Sequence, residues 1–409
     1  MLRIIDATQA EDLIVRKAVR FSEAESVVGP ILDDIRRRGD AALLQYARKF
    51  DGFEGMSVAV SEVEAAPMSS AYLHALEVAT RNIREYARMQ LPRESWTEFP
   101  DGRRLGQIVR PLDSMGAYIP AGRYPLPSTL LMTVVPAQVA GVRDICVACP
   151  NPGAEIMAAF QFLGVGRIFR MGGAQAIGAF AFGTETVPRV ARIVGPGNIY
   201  VAAAKKLLAG EVGIDFVAGP TEIVIVAEQG KPSHIAADML AQAEHDVDAS
   251  SILLTTSRML AEAVATEVDQ QLATLPTAPV ACEAIRKNSA IVLVENIEEA
   301  MRLVNRLAPE HLAIPDTKYL PLVQNAGSVF VGPNSPEAAG DYASGPNHVL
   351  PTSGAARIRG GLSAADFVKV ISVQELSPDA LRALAPAITT LARAEGLEAH
   401  ARSVEVRCG

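Results

Sequence analysis

Short apolar runs alternate with segments of helical periodicity over most of the chain after Gly116. In order, the runs are "GAYIP", "DICVACP", "RIFRM", "EIVIVAE", "SILLTT", "AIVLVE" and "GSVFVG". Strands buried on both faces read as continuous β-branched runs, and helices form the crossovers between parallel strands. The pattern therefore predicts an α/β fold with two parallel-rich sheets.

The two ends of the chain have the periodicity of amphipathic helices instead. In "SSAYLHALEVATRNIREYARMQ", Leu76 and Ile83 belong to an apolar stripe that predicts one long helix. From about Ser377 the sequence predicts a capped helix, a break at Gly396 and a second helix. Such a tail either docks on its own domain or reaches across to a partner chain.

Length and charge narrow the class of protein. A chain of 409 residues predicts two domains, and 49% hydrophobic residues supply enough apolar material for globular cores. The formal net charge of −8 argues against nucleic-acid binding, which needs concentrated Lys and Arg. No signal-peptide pattern and no apolar run long enough to span a bilayer occurs in the sequence. We therefore expect a cytoplasmic protein with no membrane partner.

The four cysteines are too few and too scattered for a disulfide framework. Cys146 and Cys149 form a CxxC pair, but it lies in "VRDICVACP", which reads as a buried strand. The sequence has no second CxxC pair to complete a thiolate zinc site. We therefore favour buried, unreactive thiols over metal or redox chemistry.

Histidines close to carboxylates or amides are the clearest chemical signal. Gln242 and His245 in "AQAEHD" are three residues apart, on one face of a predicted helix. Two further pairs are Asp341 with His348 in "GDYASGPNH", and Glu395 with His400 in "EGLEAHA". Each pair alone is explained as a surface or helix-end group. Together they offer nitrogen and oxygen ligands without thiolate, a set that suits catalytic rather than structural Zn²⁺.

Glu310 and His311 are adjacent in the otherwise apolar stretch "NRLAPEHLAIP". Neighbouring residues on a helix or strand point in different directions. The pair is therefore either a helix-end pair with the histidine packed in the core, or two reagents that flank one substrate.

Two glycine turns follow predicted strands and precede predicted helices. One contains Gly172 and Gly173, and the other contains Gly195, Gly197 and Asn198. Such turns expose helix N-terminal N–H groups and predict a cradle for phosphate or pyrophosphate, although neither matches GxGxxG. The alternative is an ordinary turn of any α/β protein. A third turn, "AGPTEIVIV", is expected to bring Thr221 and Glu222 to the same cleft.

These motifs occur in an order that resembles the histidinol dehydrogenase family. The order is "GAYIPAGRYP", "GGAQAIGA", "GPGNIYVAAAKK", "AGPTE", "QAEHD", "APEHL", "GDYASGPNHVLPT", "GGLSAADF" and the "EAH" of the tail. The likeness runs over nearly the whole chain, and "APEHL" with "GDYASGPNHVLPT" is its most specific part. It implies NAD-dependent oxidation of L-histidinol through L-histidinaldehyde to L-histidine, by an intertwined homodimer with one Zn²⁺ in each active site.

The resemblance also implies two incomplete Rossmann-like domains with helical extensions. We expect an N-terminal extension at residues 1–20, a first α/β domain with the metal and catalytic residues at 21–112 and 222–362, an NAD-binding α/β domain at 113–221, and a helical tail at 363–409 that crosses to the partner subunit.

Carried over by motif, the resemblance implies a set of site residues. The zinc ligands are Gln242, His245, Asp341 and His400, the last from the tail of the other subunit. NAD meets Tyr118, Gln175 and Asn198. The substrate meets Thr221, Gln242, His245, His311, Asp341, Glu395 and His400.

Within this family the pair Glu310 and His311 acquires a catalytic meaning. Oxidising an alcohol needs a base for the hydroxyl proton, and an imidazole has the ordinary pKa for that role at neutral pH. Carrying the aldehyde on to the acid needs an activated water, a role that suits Glu310. Zinc is expected to orient the substrate nitrogens rather than to make hydroxide.

Some positions depart from the usual family pattern. Ala121 and Arg123 lie in "PAGRYPLPST", where the family has two glycines after the proline and lacks Arg-Tyr-Pro-Leu; we expect them to alter the cofactor entrance. Pro346 replaces a usual threonine, and Thr221 replaces a usual serine but keeps the hydroxyl.

Three alternatives stay open. A related dehydrogenase acting on another small hydroxyl compound, such as a sulfonated diol, would share the scaffold and the Arg-Tyr-Pro sequence. A hydrolytic zinc enzyme would use Glu310 as base but leave the glycine turns unexplained. A non-catalytic amino-acid sensor would be stabilised by its ligand without turnover.

Overall fold

The computed structural model describes residues 2–10, 13, 21–60, 67–120, 124–217 and 219–409. The helices are α1 (Phe21–Arg38), α2 (Asp40–Asp51), α3 (Ser70–Gln90), α4 (Pro127–Ala140), α5 (Ala154–Leu163), α6 (Gly173–Phe182), α7 (Ile199–Leu208), α8 (Pro232–Ala243), α9 (Arg258–Leu272), α10 (Ala278–Asn288), α11 (Ile297–Leu307), α12 (Glu337–Tyr342), α13 (Pro378–Ala394) and α14 (Glu398–Cys408). The strands are β1 (Arg3–Asp6), β2 (Ser95–Glu98), β3 (Arg103–Pro111), β4 (Ser114–Tyr118), β5 (Asp144–Ala148), β6 (Arg167–Phe169), β7 (Arg192–Val194), β8 (Gly213–Ile214), β9 (Glu222–Val226), β10 (Ser250–Thr255), β11 (Ala290–Leu293), β12 (His311–Ile314), β13 (Ser328–Val331) and β14 (Val368–Leu376).

Two parallel sheets organise the fold and confirm the predicted α/β class. The larger sheet has six strands in the order β1-β11-β10-β9-β12-β13, and its strand pairs are parallel. The smaller sheet has five strands in the order β6-β5-β4-β7-β8, also parallel. Counted along the chain from β4, this is the order 3-2-1-4-5 of a Rossmann-like sheet. The apolar runs predicted as strands all belong to these two sheets.

Helix packing departs from the expected domain division at the N-terminal end. The sequence predicts that residues 21–112 belong to the same domain as residues 222–362. In the structure, however, α1 packs on α6 and α7, and α3 packs on α4. Both helices therefore cover the five-stranded sheet. Residues 3–6, expected in an extension, form the edge strand of the six-stranded sheet. An apolar stripe predicts that a helix face is buried but does not identify the sheet that buries it.

The sequence did not predict a third sheet, which is antiparallel. It has the order β14-β3-β2, and β14 pairs with β3 from Val368 opposite Pro111 to Leu376 opposite Arg103. These strands are polar and largely exposed, so they lack the apolar runs that reveal buried strands. The expected helical tail therefore begins with a strand.

The tail helices α13 and α14 form as predicted. The Ser377 side chain accepts a hydrogen bond from Ala380 N and begins α13, and Gly396, with a φ of 77°, separates the two helices. Among the described residues, no helix combines the length and apolar character needed to cross a bilayer.

Candidate active site

The residues singled out for catalysis lie at the amino ends of two neighbouring strands. His311 is the first residue of β12 and Glu222 the first of β9, and His311 pairs in register with Ile223. Gln242, near the end of α8, also reaches this region, and its side chain contacts Thr221, immediately before β9. Ligands in parallel α/β sheets usually bind at the carboxyl ends of strands. The candidate catalytic residues of the six-stranded sheet lie instead at the opposite edge.

A tight turn delivers Glu310 and His311 to this edge. Helix α11 ends at Leu307, and Ala308 adopts a left-handed φ of 49° before Pro309. A non-glycine residue in that region costs roughly 1–2 kcal/mol, which the surrounding packing must offset. The turn leaves the two reactive side chains almost fully buried, with 6% of Glu310 and 3% of His311 exposed.

The Glu310 carboxylate is held by two donors. Its Oε2 accepts hydrogen bonds from the Thr221 hydroxyl at 2.6 Å and from Glu222 N at 3.0 Å. Burial raises the pKa of Glu310, and the neighbouring His311 and the Thr221 hydroxyl oppose that rise. The result is an oriented carboxylate with a stronger affinity for a proton than a carboxylate in water.

One ring nitrogen of His311 has a hydrogen-bond partner among the described residues, and the other does not. Its Nδ1 lies 3.1 Å from the carbonyl oxygen of Glu222, whereas its buried Nε2 has no hydrogen-bond partner among the described residues. Nε2 faces Asp341 Oδ1 at 3.7 Å, and Nδ1 is 3.6 Å from Glu337 Oε1. Burial lowers the pKa of His311, but the carboxylates of Glu337, Glu310 and Asp341 outweigh burial and raise it to about 10.

A group of donors suited to a cation lies beside this imidazole. His245, Glu337 and Asp341 each offer a ligand atom within 4.8 Å of the others. Burial raises the pKa of Glu337 to about 8 despite the nearby His311. Burial opposes ionisation of Asp341 as well, but contact with His311 and His348 keeps its pKa below the ordinary value. A concentration of buried carboxylates of this kind is stabilised by a bound cation.

The Gln242 side chain can face the acidic cluster in two orientations. Its carboxamide is fully buried between Thr221 and Glu337. With its nitrogen on Thr221, its oxygen faces the Glu337 carboxylate, and two acceptors can share that space only with a proton or a cation between them. Rotated by 180°, the nitrogen instead donates to Glu337 Oε2 at 3.0 Å and the oxygen accepts from Glu222 N at 3.2 Å. Only the first orientation offers an oxygen to a metal, and the second satisfies the amide without one, so the fit of a divalent cation rests on the donor group of His245, Glu337 and Asp341.

The tail residues are not part of this cluster within one protomer. Glu395 and His400 are exposed, and α13 and α14 pack chiefly on each other and on β14. The structure therefore brings together Gln242, His245 and Asp341 but not His400. A tail donor would have to come from a second chain.

His348 links the cluster to the other sheet. Its Nδ1 contacts the Asp341 backbone oxygen at 2.8 Å, and its Nε2 lies 3.2 Å from the hydroxyl of Thr129 on α4. Burial lowers the pKa of His348. Because α4 follows β4, this contact joins the amino edge of the six-stranded sheet to the carboxyl edge of the five-stranded sheet.

The three expected cofactor residues share that carboxyl edge. Tyr118 ends β4, Gln175 follows β6 in α6, and Asn198 follows β7. Tyr118 accepts a hydrogen bond from Gly173 N at 3.1 Å, and burial raises the pKa of Tyr118 to about 12. The Asn198 side chain caps α7 by accepting from Tyr200 N and Val201 N, both at 3.1 Å.

Several N–H groups of the two glycine turns already have partners within the protein. At the first turn, Gly172 N donates to Asp51 and Gly173 N to Tyr118. At the second, Gly195 N donates to Asp215, and Asn198 caps the helix. A phosphate would therefore have to bind the remaining N–H groups at the start of these helices, and the cradle stays a prediction.

Sequence reasoning missed two acidic residues of these edges. Glu337, only 3% exposed, touches both His311 and Gln242. Its signal was its position four residues before Asp341, which places both carboxylates on one helix face. Asp51 gave no such signal, because its partners at 172 and 175 are distant in sequence. Ala121 and Arg123 lie outside the described residues, whereas Pro346 lies in the loop between Asp341 and His348.

An α/β fold with a buried imidazole and oriented carboxylates at the edge of one sheet is typical of an enzyme that transfers protons to or from a small molecule. The model of the family described as histidinol dehydrogenase matches residues 14–408. The chain belongs to the histidinol dehydrogenase family, a family of oxidoreductases.

Similar proteins cover almost the whole chain. Histidinol dehydrogenase of Rhizobium meliloti is 46% identical over 400 residues, which are 94% of this chain and 92% of that protein. Histidinol dehydrogenase of Geobacter sulfurreducens is 48% identical over 402 residues, covering 94% and 93%. The crystal structure of histidinol dehydrogenase from Elizabethkingia anophelis superposes with a TM-score of 0.95 at 36% identity and covers 99% of this chain and 98% of that one.

Proposed function

We propose that the chain oxidises L-histidinol through L-histidinaldehyde to L-histidine, with NAD as hydride acceptor and one Zn²⁺ in each active site, as a late step of histidine biosynthesis in the cytoplasm. The observation that carries the proposal is the open Nε2 of His311, buried and without a partner among the described residues. Names of relatives at 46% and 48% identity support the substrate.

His311 is the base of the alcohol step. The carbonyl of Glu222 holds Nδ1 as the donor, so the neutral ring has its lone pair on Nε2. Nε2 accepts the proton of the substrate hydroxyl while the carbon that bears this hydroxyl transfers a hydride to the nicotinamide. Without a cation the surrounding carboxylates keep the pKa of His311 near 10, so the neutral base requires their charge to be balanced.

Glu310 serves the second oxidation. Thr221 and Glu222 N fix one carboxylate oxygen, and the carboxylate takes a proton from the water that adds to the aldehyde carbon, after which that carbon gives a hydride to a second NAD and becomes the acid. Its burial raises its pKa, which makes it a better base than an exposed glutamate. Two adjacent proton acceptors thus serve two half-reactions.

The metal ligands proposed are Gln242, His245, Asp341 and His400 of the partner subunit. When bound, Zn²⁺ would supply a positive charge that holds and orients the substrate nitrogens. The support within one chain is the donor set of His245, Glu337 and Asp341 and the Gln242 amide that faces Glu337. Thr221, His311 and Glu395 complete the proposed substrate contacts.

Exposed apolar side chains on the tail support a homodimer. Apolar side chains are exposed on β14 and the tail helices, among them Val370 at 50%, Leu391 at 65% and Val406 at 74%. A second chain would bury them and bring Glu395 and His400 to the cluster. In this arrangement Tyr118, Gln175 and Asn198 meet NAD in the domain of residues 113–221.

One assay distinguishes the proposed function from the alternative functions. NADH formation is followed with L-histidinol and, separately, with dihydroxypropanesulfonate, before and after chelation. We expect turnover of L-histidinol alone, lost with chelator and restored by Zn²⁺. Turnover of the sulfonated diol would favour the related dehydrogenase, and Zn²⁺-dependent binding without NADH would favour a sensor or hydrolase.

A further inference from the structure

Asp51 inserts a carboxylate into the carboxyl edge of the five-stranded sheet. It is the last residue of α2, and its Oδ2 accepts from Gly172 N at 2.9 Å and from Gln175 Nε2 at 3.1 Å. Asn151 Nδ2, just beyond β5, donates to the Asp51 backbone oxygen at 3.3 Å. The carboxylate therefore stands between the ends of β5 and β6, in contact with a proposed NAD residue.

In Rossmann-like sheets that bind NAD, a carboxylate at this position contacts the cofactor. In the order 3-2-1-4-5, β5 is the second strand and β4 the first. Where such a sheet binds NAD, an acidic residue near the end of the second strand accepts a hydrogen bond from the ribose 2′-hydroxyl. Here no acidic residue directly follows β5, and α2 brings Asp51 to the same place from a distant part of the sequence.

One oxygen of this carboxylate is left to receive a ligand. Both hydrogen bonds from Gly172 and Gln175 go to Oδ2, and no hydrogen bond between described residues reaches Oδ1. A ribose hydroxyl can donate to such an oxygen. A 2′-phosphate is mostly a dianion at neutral pH, so it lacks that donor hydrogen and places negative charge against the carboxylate in a partly buried site.

We propose that Asp51 is the residue that makes the site select an unphosphorylated adenine ribose, and so NAD over NADP. This inference rests on the proposed function, because it takes Tyr118, Gln175 and Asn198 as the cofactor contacts. Asp51 also holds the Gln175 amide, so it both positions a cofactor contact and sets the charge beside it.

Binding of two cofactor fragments tests the inference without turnover. Titration calorimetry on the full chain compares ADP-ribose with 2′-phospho-ADP-ribose for wild type, Asp51→Asn, Asp51→Glu and the control Asp144→Asn. Asp144 begins β5 at the opposite edge of the same sheet and pairs with Arg167 at the surface, so its replacement removes the same charge far from the ribose. We expect wild type to prefer ADP-ribose by at least about tenfold. Asp51→Asn should lose most of that preference, whereas Asp51→Glu and Asp144→Asn keep it.

The outcomes separate this inference from the proposed function. Wild-type binding of ADP-ribose with an unchanged preference in Asp51→Asn contradicts the role of Asp51 but leaves the NAD site standing. Parallel weakening of both fragments in Asp51→Asn assigns Asp51 a purely structural role and also overturns the inference. No binding of either fragment to wild type contradicts the cofactor assignment itself.

Discussion

His311 Nδ1 lies 3.1 Å from the carbonyl oxygen of Glu222, and this contact determines which nitrogen of the ring is free to act. With Nδ1 donating, the Nε2 lone pair points toward Asp341, 3.7 Å away. The base and a proposed metal ligand therefore face one small volume. The proposed chemistry depends on that shared volume.

Replacing the two proton acceptors should separate the two oxidations. His311→Asn should slow L-histidinol oxidation by about 10²–10⁴-fold, since loss of a general base typically has that effect. Glu310→Gln should slow chiefly the oxidation of supplied L-histidinaldehyde. Single-turnover NADH absorbance with each substrate measures both steps, and His74→Asn, at an exposed histidine, is the control. Equal damage to both steps from each change would refute the division of labour.

Binding of Zn²⁺ to the metal-free protein near neutral pH should release protons. The pKa of His311 is raised to about 10 and that of Glu337 to about 8, so this interacting pair together holds more protons at neutral pH than an exposed histidine and glutamate would. A cation disfavours the protonated forms and expels protons. Calorimetry in buffers of different ionisation enthalpy counts them, and His311→Asn should release fewer. A buffer-independent heat would contradict the charge balance.

The same shifts set the pH dependence of metal-free stability. Both groups bind more protons in the folded than in the unfolded state, because their folded pKa values are the higher ones. Their stabilisation is therefore present at low pH and is lost as pH rises from about 6.5 toward 10 for His311. Thermal melts of the chelated protein should fall over that window, and His311→Asn should flatten the fall. A melting temperature that rises with pH there would be inconsistent with these shifts.

Glu337→Gln should weaken metal binding. Groups that touch the ligands of a metal typically contribute about 10–100-fold to its affinity, and Glu337 contacts Gln242 and lies beside His245 and Asp341. Competition with a zinc chelator measures the affinity. Glu98→Gln, whose side chain is 81% exposed, is the matched control. Unchanged affinity would leave Glu337 a role only in holding His311.

Two inactive variants should complement each other if the tail crosses between subunits. Mixed dimers of His311→Asn and His400→Asn then contain one site with both histidines intact. Statistical mixing should restore about one quarter of wild-type activity, because half of the dimers are mixed and each has one working site. If each tail served its own chain, no mixed dimer would have an intact site and activity would stay absent.

The sequence predicted the elements whose physics is local. The apolar runs of the sequence identified buried strands such as β9 and β10, and Ser377 and Gly396 mark the ends of α13. It did not predict β3 and β14, which are polar and stabilised by pairing across the chain.

Contacts between distant segments set the rest of the site. The motifs identified Glu310 and His311 but not the edge of the sheet on which they lie, because the order of strands in a sheet cannot be read from the sequence. Asp51 reaches Gly172 only through the packing of α2 on the five-stranded sheet, so no spacing rule finds it.

Counting the NADH formed for each L-histidinol consumed tests the central claim most directly. A single cluster with two proton acceptors should carry the alcohol to the acid, giving about two NADH and L-histidine with no free aldehyde accumulating. One NADH with release of L-histidinaldehyde, or no NADH at all from the zinc-loaded protein, would contradict the account.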